Sequence, residues 1–225
     1  MAQHMLKPLL GLLVSYFLGA IPTAYLFGRL LKGIDLRRHG SGNLGATNAF
    51  RVLGKGAGIA VLIIDVLKGT VSVLLSRYAF FTPQAIPQAG ISLPFYLCLS
   101  AVCAVSGHNW TIFLGFKGGK GVATSLGVLI AFSILIDRFF ILVLFITGLW
   151  IAIFLATGFV SLASVICSAV LPLVGLSLQL PVSIEVFLVV LGIFSLVRHK
   201  ANISRLLQKK ESRFNTASLL KKIFK

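Results

Sequence analysis

With 225 residues, 57% of them hydrophobic, and a mean hydropathy of +0.99, the chain is too apolar for a soluble domain, where roughly 45–50% of residues are apolar. Its 21 Lys and Arg face only five Asp and Glu, a formal charge of +16, which argues against metal cages and paired-carboxylate catalysis. In an integral membrane protein such a charge points to anionic lipids or an anionic substrate rather than nucleic acid, and no cofactor is called for.

Hydropathy predicts seven membrane helices, at 9–31, 56–76, 89–106, 122–136, 139–156, 159–176 and 182–197. The first is longer than a signal-peptide core and reads as an uncleaved membrane helix. The fourth reaches only ~22 Å of a ~30 Å hydrocarbon layer, so part of the preceding stretch is expected to dip into the membrane. Asp65 and Lys68, three residues apart within the second helix, read as a structural ion pair, although intramembrane charge also marks functional sites. Cys98, Cys103 and Cys167 lie in apolar stretches without zinc or redox spacing and read as core residues.

Basic residues cluster in Gly28–Lys55, in the loop holding Lys117 and Lys120, and from Arg198 onward, which seven crossings place on one side. The positive-inside rule makes that side cytoplasmic and the N-terminus external. Beyond Glu211 a basic, leucine-containing extension, residues 212–225, suits a helix lying on an anionic leaflet, or a solvated tail that fixes topology.

Three polar segments share the basic side. Gly40-Ser-Gly-Asn-Leu-Gly-Ala-Thr-Asn48 followed by Arg51 combines a possible nest of donors with a guanidinium fork, though taken alone a flexible polar loop explains it. Gly107–Thr124 carries His108, Lys117, Lys120 and closely spaced glycines, a composition suited to an oxyanion. It is not a P-loop, since Leu114 stands where the first glycine is required and Gly121 follows Gly119-Lys120. Its lysines also fit a plain interfacial turn, His108 a structural histidine and Trp110 an interfacial anchor. In Arg198-His-Lys-Ala-Asn-Ile-Ser-Arg205, His199 and Asn202 share a helix face and could bind phosphate or move a proton; a basic helix end explains only the cations.

The His-x-x-x-x-Asp motif of common glycerolipid acyltransferases is absent. Instead, the three segments, with Phe116-Lys-Gly-Gly-Lys-Gly-Val-Ala-Thr124 and His199-x-x-Asn-Ile-x-Arg-Leu206 plus Glu211, resemble the bacterial acyl-phosphate-dependent glycerol-3-phosphate acyltransferases in order and spacing. The resemblance covers residues 1–211 as one seven-span membrane domain of an all-α integral membrane protein. It implies acyl transfer from acyl phosphate, supplied by a peripheral acyl-phosphate synthase, to the 1-hydroxyl of glycerol 3-phosphate. By motif position Ser41, Arg51, Lys120, His199 and Asn202 would be catalytic. Substrate binding would fall to Gly40, Gly42, Asn43, Thr47, Asn48, His108, Lys117, Gly118, Gly119, Gly121 and Arg205. The pattern departs at Thr111, where proline is expected, and at Gln208-Lys-Lys-Glu211, where glycine is expected before the glutamate. A transporter for an organic phosphate anion, or a lipid-binding scaffold, would share the charge pattern but leaves the one-sided motifs unexplained.

Overall fold

The structure, a computed structural model, describes residues 2–83 and 91–216, with residues 2–5 given by backbone alone. The amphipathic helix expected beyond residue 216, and the start of the third expected span at 89–90, lie outside the described residues. Ten α-helices form the described fold, with no strand among the described residues: α1 Ala2–Ala20, α2 Thr23–Lys32, α3 Ala46–Leu53, α4 Lys55–Leu75, α5 Leu93–Asn109, α6 Val122–Leu135, α7 Phe139–Thr157, α8 Val160–Ser177, α9 Val182–Arg198 and α10 Lys200–Leu207.

Five stretches are long and apolar enough to cross a membrane: Leu6–Lys32, Lys55–Phe80, Leu93–Leu114, Phe139–Thr157 and Val160–Ser177. The α9–α10 pair, bent by 59°, makes a sixth, and α6 is a shorter apolar helix. Each predicted span is therefore an apolar helix, but the first is interrupted and the last runs past its expected end at 197 to a bend at His199. Large side chains such as Leu144, Phe145, Leu173 and Leu176 face outward, as lipid contact requires.

The interruption at Ile21–Pro22 follows from proline's missing N–H, and the carbonyls at the end of α1 lose their α-helical donors there. In an apolar medium those carbonyls need internal donors. The Thr111 hydroxyl donates to Ala20 O at 2.6 Å, and Lys68 Nζ donates to Ile21 O at 2.9 Å. Lys68 also pairs with Asp65 at 2.9 Å, and the Thr23 hydroxyl donates to the same carboxylate at 3.0 Å. Asp65 and Lys68 thus form the expected ion pair, and together they fasten α4 to the break between α1 and α2. Thr111, unexpected in the motif, supplies one of the two caps.

Glycines set the spacing of the central helices. A Cβ on Gly19 or Gly107 would lie 1.9 Å from Ala104 O or 2.2 Å from Tyr16 O, so α1 and α5 touch backbone to backbone. A second seam joins α4 to α6: a Cβ on Gly69 would meet Thr124 O at 2.3 Å, and one on Gly127 would meet Val66 O at 1.9 Å. Without a hydrophobic driving force between helices in lipid, such close approach is a main source of association. Ser15, Ser76 and Ser100 exchange hydroxyl hydrogen bonds of 2.8–3.0 Å between α1, α5 and the turn after α4. An aromatic core, including Phe132 stacked on Phe187 at 5.2 Å, fills the end of the bundle remote from the basic loops.

Gly127→Val should force α6 away from α4, because the obstructing atom is backbone. The expected cost is about 1–3 kcal/mol, read as a lowered thermal midpoint in detergent. Gly148→Val on α7 is the control, since a Cβ at Gly148 meets nothing within 4 Å. Equal midpoints for the two variants would contradict the seam.

Candidate active site

A cavity of about 920 Å³ lies among α4, α6, α7, α8 and α9 and ends against the three polar segments. Ser41, Arg51, Lys120, His199 and Asn202 all line its polar end, with Gly40, Asn43, Thr47, His108, Gly121 and Arg205. Farther along the helices the lining turns apolar, with Leu62, Leu129, Ile146, Leu171 and Leu191. Gly42, Asn48, Lys117, Gly118 and Gly119 do not line this cavity; Gly118 and Gly119 border a smaller one with Lys68 and His108.

The first segment is a loop held from behind. Gly40 and Gly42 adopt φ of 61° and 70°, which side-chain-bearing residues rarely take. Asn48, 1% exposed on α3, donates to His39 O at 3.0 Å and accepts from the Ser41 N–H at 2.9 Å. Asn48 is thus the clamp of the loop that presents Ser41. Gly45 opens α3 without a side-chain cap, and Gly45, Ala46 and Thr47 line the cavity.

The second segment is stapled at both ends. Gly119 N–H donates to His108 O at 3.0 Å and Gly118 N–H to Asn109 O at 3.2 Å, while Arg198 donates to the carbonyls of both glycines at 2.9 Å. Their N–H groups are occupied by the end of α5, and a Cβ on Gly118 would sit 2.0 Å from His108 O. These glycines let the loop lie against α5. Lys117 is exposed, away from the cavity wall. Gly121, at φ 77°, starts α6 with no side-chain cap, so the first N–H groups of α6, like those of α3, lack a protein side-chain acceptor. Uncapped helix N-termini favour anions. His108 Nδ1 lies 3.7 Å from Asp65 Oδ1, linking this segment to the buried ion pair.

The third segment sits at the bend between α9 and α10. The His199 Nδ1 lies 2.8 Å from the Ser195 carbonyl, which can only accept, so Nδ1 carries the proton and Nε2 is left for other partners. Lys120 Nζ donates to Asn202 Oδ1 in a short contact. Asn202 Nδ2 donates in turn to Glu211 Oε1 at 2.6 Å, the Ser161 hydroxyl to the same oxygen at 2.8 Å, and Arg205 Nε to Oε2 at 2.7 Å. Burial pushes the Glu211 carboxyl up, but the hydrogen bonds from Asn202, Arg205 and Ser161 outweigh it, and its pKa is lowered. Two functions were illegible in sequence: Arg198, read as a basic helix end, is the loop staple, and Glu211 is the hub of the third segment.

Burial is the largest influence on Lys120 and, with Arg205, Arg198 and Arg51, pushes the ammonium down from 10.5 to about 8 against the pull of Glu211. Among the described residues no group of three His, Cys, Asp or Glu converges to hold a metal ion. Arg51, Lys120, Arg205 and two uncapped helix ends give the cavity a cationic end, continuous with its apolar channel.

Comparison with known proteins matches residues 9–209 to a family described as glycerol-3-phosphate acyltransferase. A glycerol-3-phosphate acyltransferase of Synechocystis is 43% identical over 92% of this chain and 91% of its own length. That of Desulforudis audaxviator is 42% identical over 90% and 93%. Among solved structures, PlsY, an integral membrane glycerol 3-phosphate acyltransferase, superposes in its glycerol 3-phosphate form with a TM-score of 0.81 at 37% identity, covering 95% of this chain and 98% of that one. Its lysophosphatidic acid form gives a TM-score of 0.79.

Sulfate keeps a constant charge near neutrality, so its binding isolates titration of the protein. An anion bound at Lys120 holds the ammonium charged, whereas the free protein loses that proton near pH 8. Sulfate affinity should therefore fall as pH rises, roughly tenfold between pH 7 and pH 9. Isothermal titration of the detergent-solubilised protein reads this, and Lys120→Arg, charged throughout, should flatten the profile. A wild-type affinity constant over that range would show that the ammonium does not meet the anion.

Proposed function

The chain belongs to the glycerol-3-phosphate acyltransferase family, and from that premise we propose that it transfers a fatty acyl group from acyl phosphate to the 1-hydroxyl of sn-glycerol 3-phosphate. The products are lysophosphatidic acid and inorganic phosphate, in the first step of phospholipid synthesis. The observation that carries this reading is the cavity's change of character, from a cationic end to an apolar channel. Such a space suits an acyl chain joined to a phosphate, with room for a second phosphorylated molecule beside it. The glycerol 3-phosphate and lysophosphatidic acid forms of the related acyltransferase support the same acceptor and product here.

In this reading the acceptor hydroxyl attacks the acyl carbonyl, the new carbon–oxygen ester bond forms and the bond from the acyl carbon to the phosphate oxygen breaks. Phosphate is already a good leaving group. The protein's work is positioning and neutralising the developing charge, each worth several kcal/mol. Lys120, Arg51, Arg205 and the free N–H groups opening α3 and α6 serve that purpose, and Ser41, presented by the Asn48 clamp, orients an acceptor oxygen. Both carboxylates lining the cavity are engaged, Asp65 by Lys68 and Thr23 and Glu211 by Ser161, Asn202 and Arg205. The hydroxyl proton goes either to His199 Nε2 or to an oxygen of the departing phosphate.

The polar end faces the cytoplasm in this reading, with the N-terminus outside, so soluble glycerol 3-phosphate reaches the site directly. A peripheral acyl-phosphate synthase delivers the donor, and the basic surface binds anionic lipid.

Purified protein given acyl phosphate and glycerol 3-phosphate should release lysophosphatidic acid and phosphate in equal amounts. Acyl-CoA run in parallel tests the donor; turnover with acyl-CoA alone would overturn the acyl-phosphate assignment, and no turnover with either would overturn the reaction. Lys120→Met should lower kcat/KM at least about tenfold. A His199→Asn enzyme with an unshifted pH profile would assign the proton to the leaving phosphate.

A further inference from the structure

The match to the family model ends at residue 209, but the chain then returns to the cavity. Ser212 and Phe214 line it beside Arg51. The Phe214 N–H donates to Gly158 O at 2.9 Å, at the turn between α7 and α8. Gly158 has a φ of 73°, and a Cβ there would lie 2.5 Å from Phe214 O, so this turn is shaped to receive the returning segment. The Phe214 ring stands edge-to-face between Phe50 on α3 and Phe154 on α7, each 5.9 Å away between centroids.

Arg51 leans on this segment. Its guanidinium lies 4.8 Å from the Phe214 ring centroid and Nη2 is 3.4 Å from Ser212 O. Among the described residues Arg51 forms no ion pair, unlike Arg37 and Arg205, which pair with Asp35 and Glu211. The distinction matters for an anion site. A carboxylate would orient the guanidinium but neutralise it; a ring face and a carbonyl orient it and leave its charge for an incoming phosphate.

We propose that Phe214 is a positioning residue of the enzyme: Ser212 and Phe214 form part of a side wall of the active site and hold Arg51 against the cavity without quenching its charge. This rests on the reading that Arg51 engages substrate phosphate. Phe214 itself touches no reacting atom, and it acts through the guanidinium.

The test uses the full-length enzyme in detergent, with KM for glycerol 3-phosphate and kcat measured separately. Phe214→Leu keeps the bulk between Phe50 and Phe154 but removes the ring face. Both Phe214→Leu and Phe214→Ala should raise KM about three- to tenfold, with kcat changed less than KM, while Phe214→Tyr, which keeps the face, should retain the wild-type KM. In an Arg51→Gln background the Phe214→Leu substitution should add nothing. A leucine variant with wild-type KM, or an undiminished effect of leucine in the Arg51→Gln background, would overturn the positioning role. Arg51→Gln with unchanged KM and kcat would instead overturn the reading of Arg51 on which the proposal stands. Thermal midpoints of all variants separate loss of fold from loss of positioning, and the leucine variant remains decisive if the alanine variant unfolds.

Discussion

The polar end of the cavity depends on one carboxylate. Arg51, Lys120 and Arg205 converge there, with Arg198 behind the loop, and in a partly buried site like charges would push apart. Glu211 accepts from Ser161 on α8 and from Asn202 and Arg205 on α10, and through Asn202 it orients the oxygen that meets Lys120. The charge left over is still positive, as the proposed binding of phosphates requires. Glu211 thereby fixes direction: with its amide nitrogen committed to the carboxylate, Asn202 can offer Lys120 only oxygen.

A second constraint is the membrane's intolerance of unpaired backbone. Pro22 breaks the first span, and two carbonyls beside that break accept from Thr111 and Lys68, from separate parts of the chain. The same contacts set the height of the loop after α5 and, through Asp65 and His108, its approach to the polar end. The intramembrane charges therefore act as framework for the site, close to it but occupied with one another.

The architecture was largely legible because apolar runs of membrane length leave few alternatives, and the three polar segments stood out as glycine, amide and basic clusters between them. What was less legible has a common cause: the same residue type can face the ligand or hold the loop that does. Asn48 looked like a ligand contact and is the clamp behind Ser41. Gly118 and Gly119 read as substrate-binding residues, yet their N–H groups bind α5 and their missing side chains permit that contact. Lys117 and Lys120 are equivalent by composition; only the fold turns one outward and half-buries the other beside Asn202. Phe214 carried no sequence signal, because an isolated phenylalanine in a basic tail acquires meaning only from the ring and guanidinium that it meets in space.

The two glycine seams have a mechanical consequence. Helices in backbone contact cannot slide or part without losing that contact, so α1 with α5 and α4 with α6 make a stiff frame on one side of the chamber. On the opposite flank α7 has no such glycine contact among the described residues, and a Cβ on Gly148 would meet nothing within 4 Å. Long rotatable side chains can repack where bare backbones cannot. Any widening to admit a bulky hydrocarbon must therefore be taken up on the α7 side, with the frame that carries Lys120 and the paired charges left undisturbed.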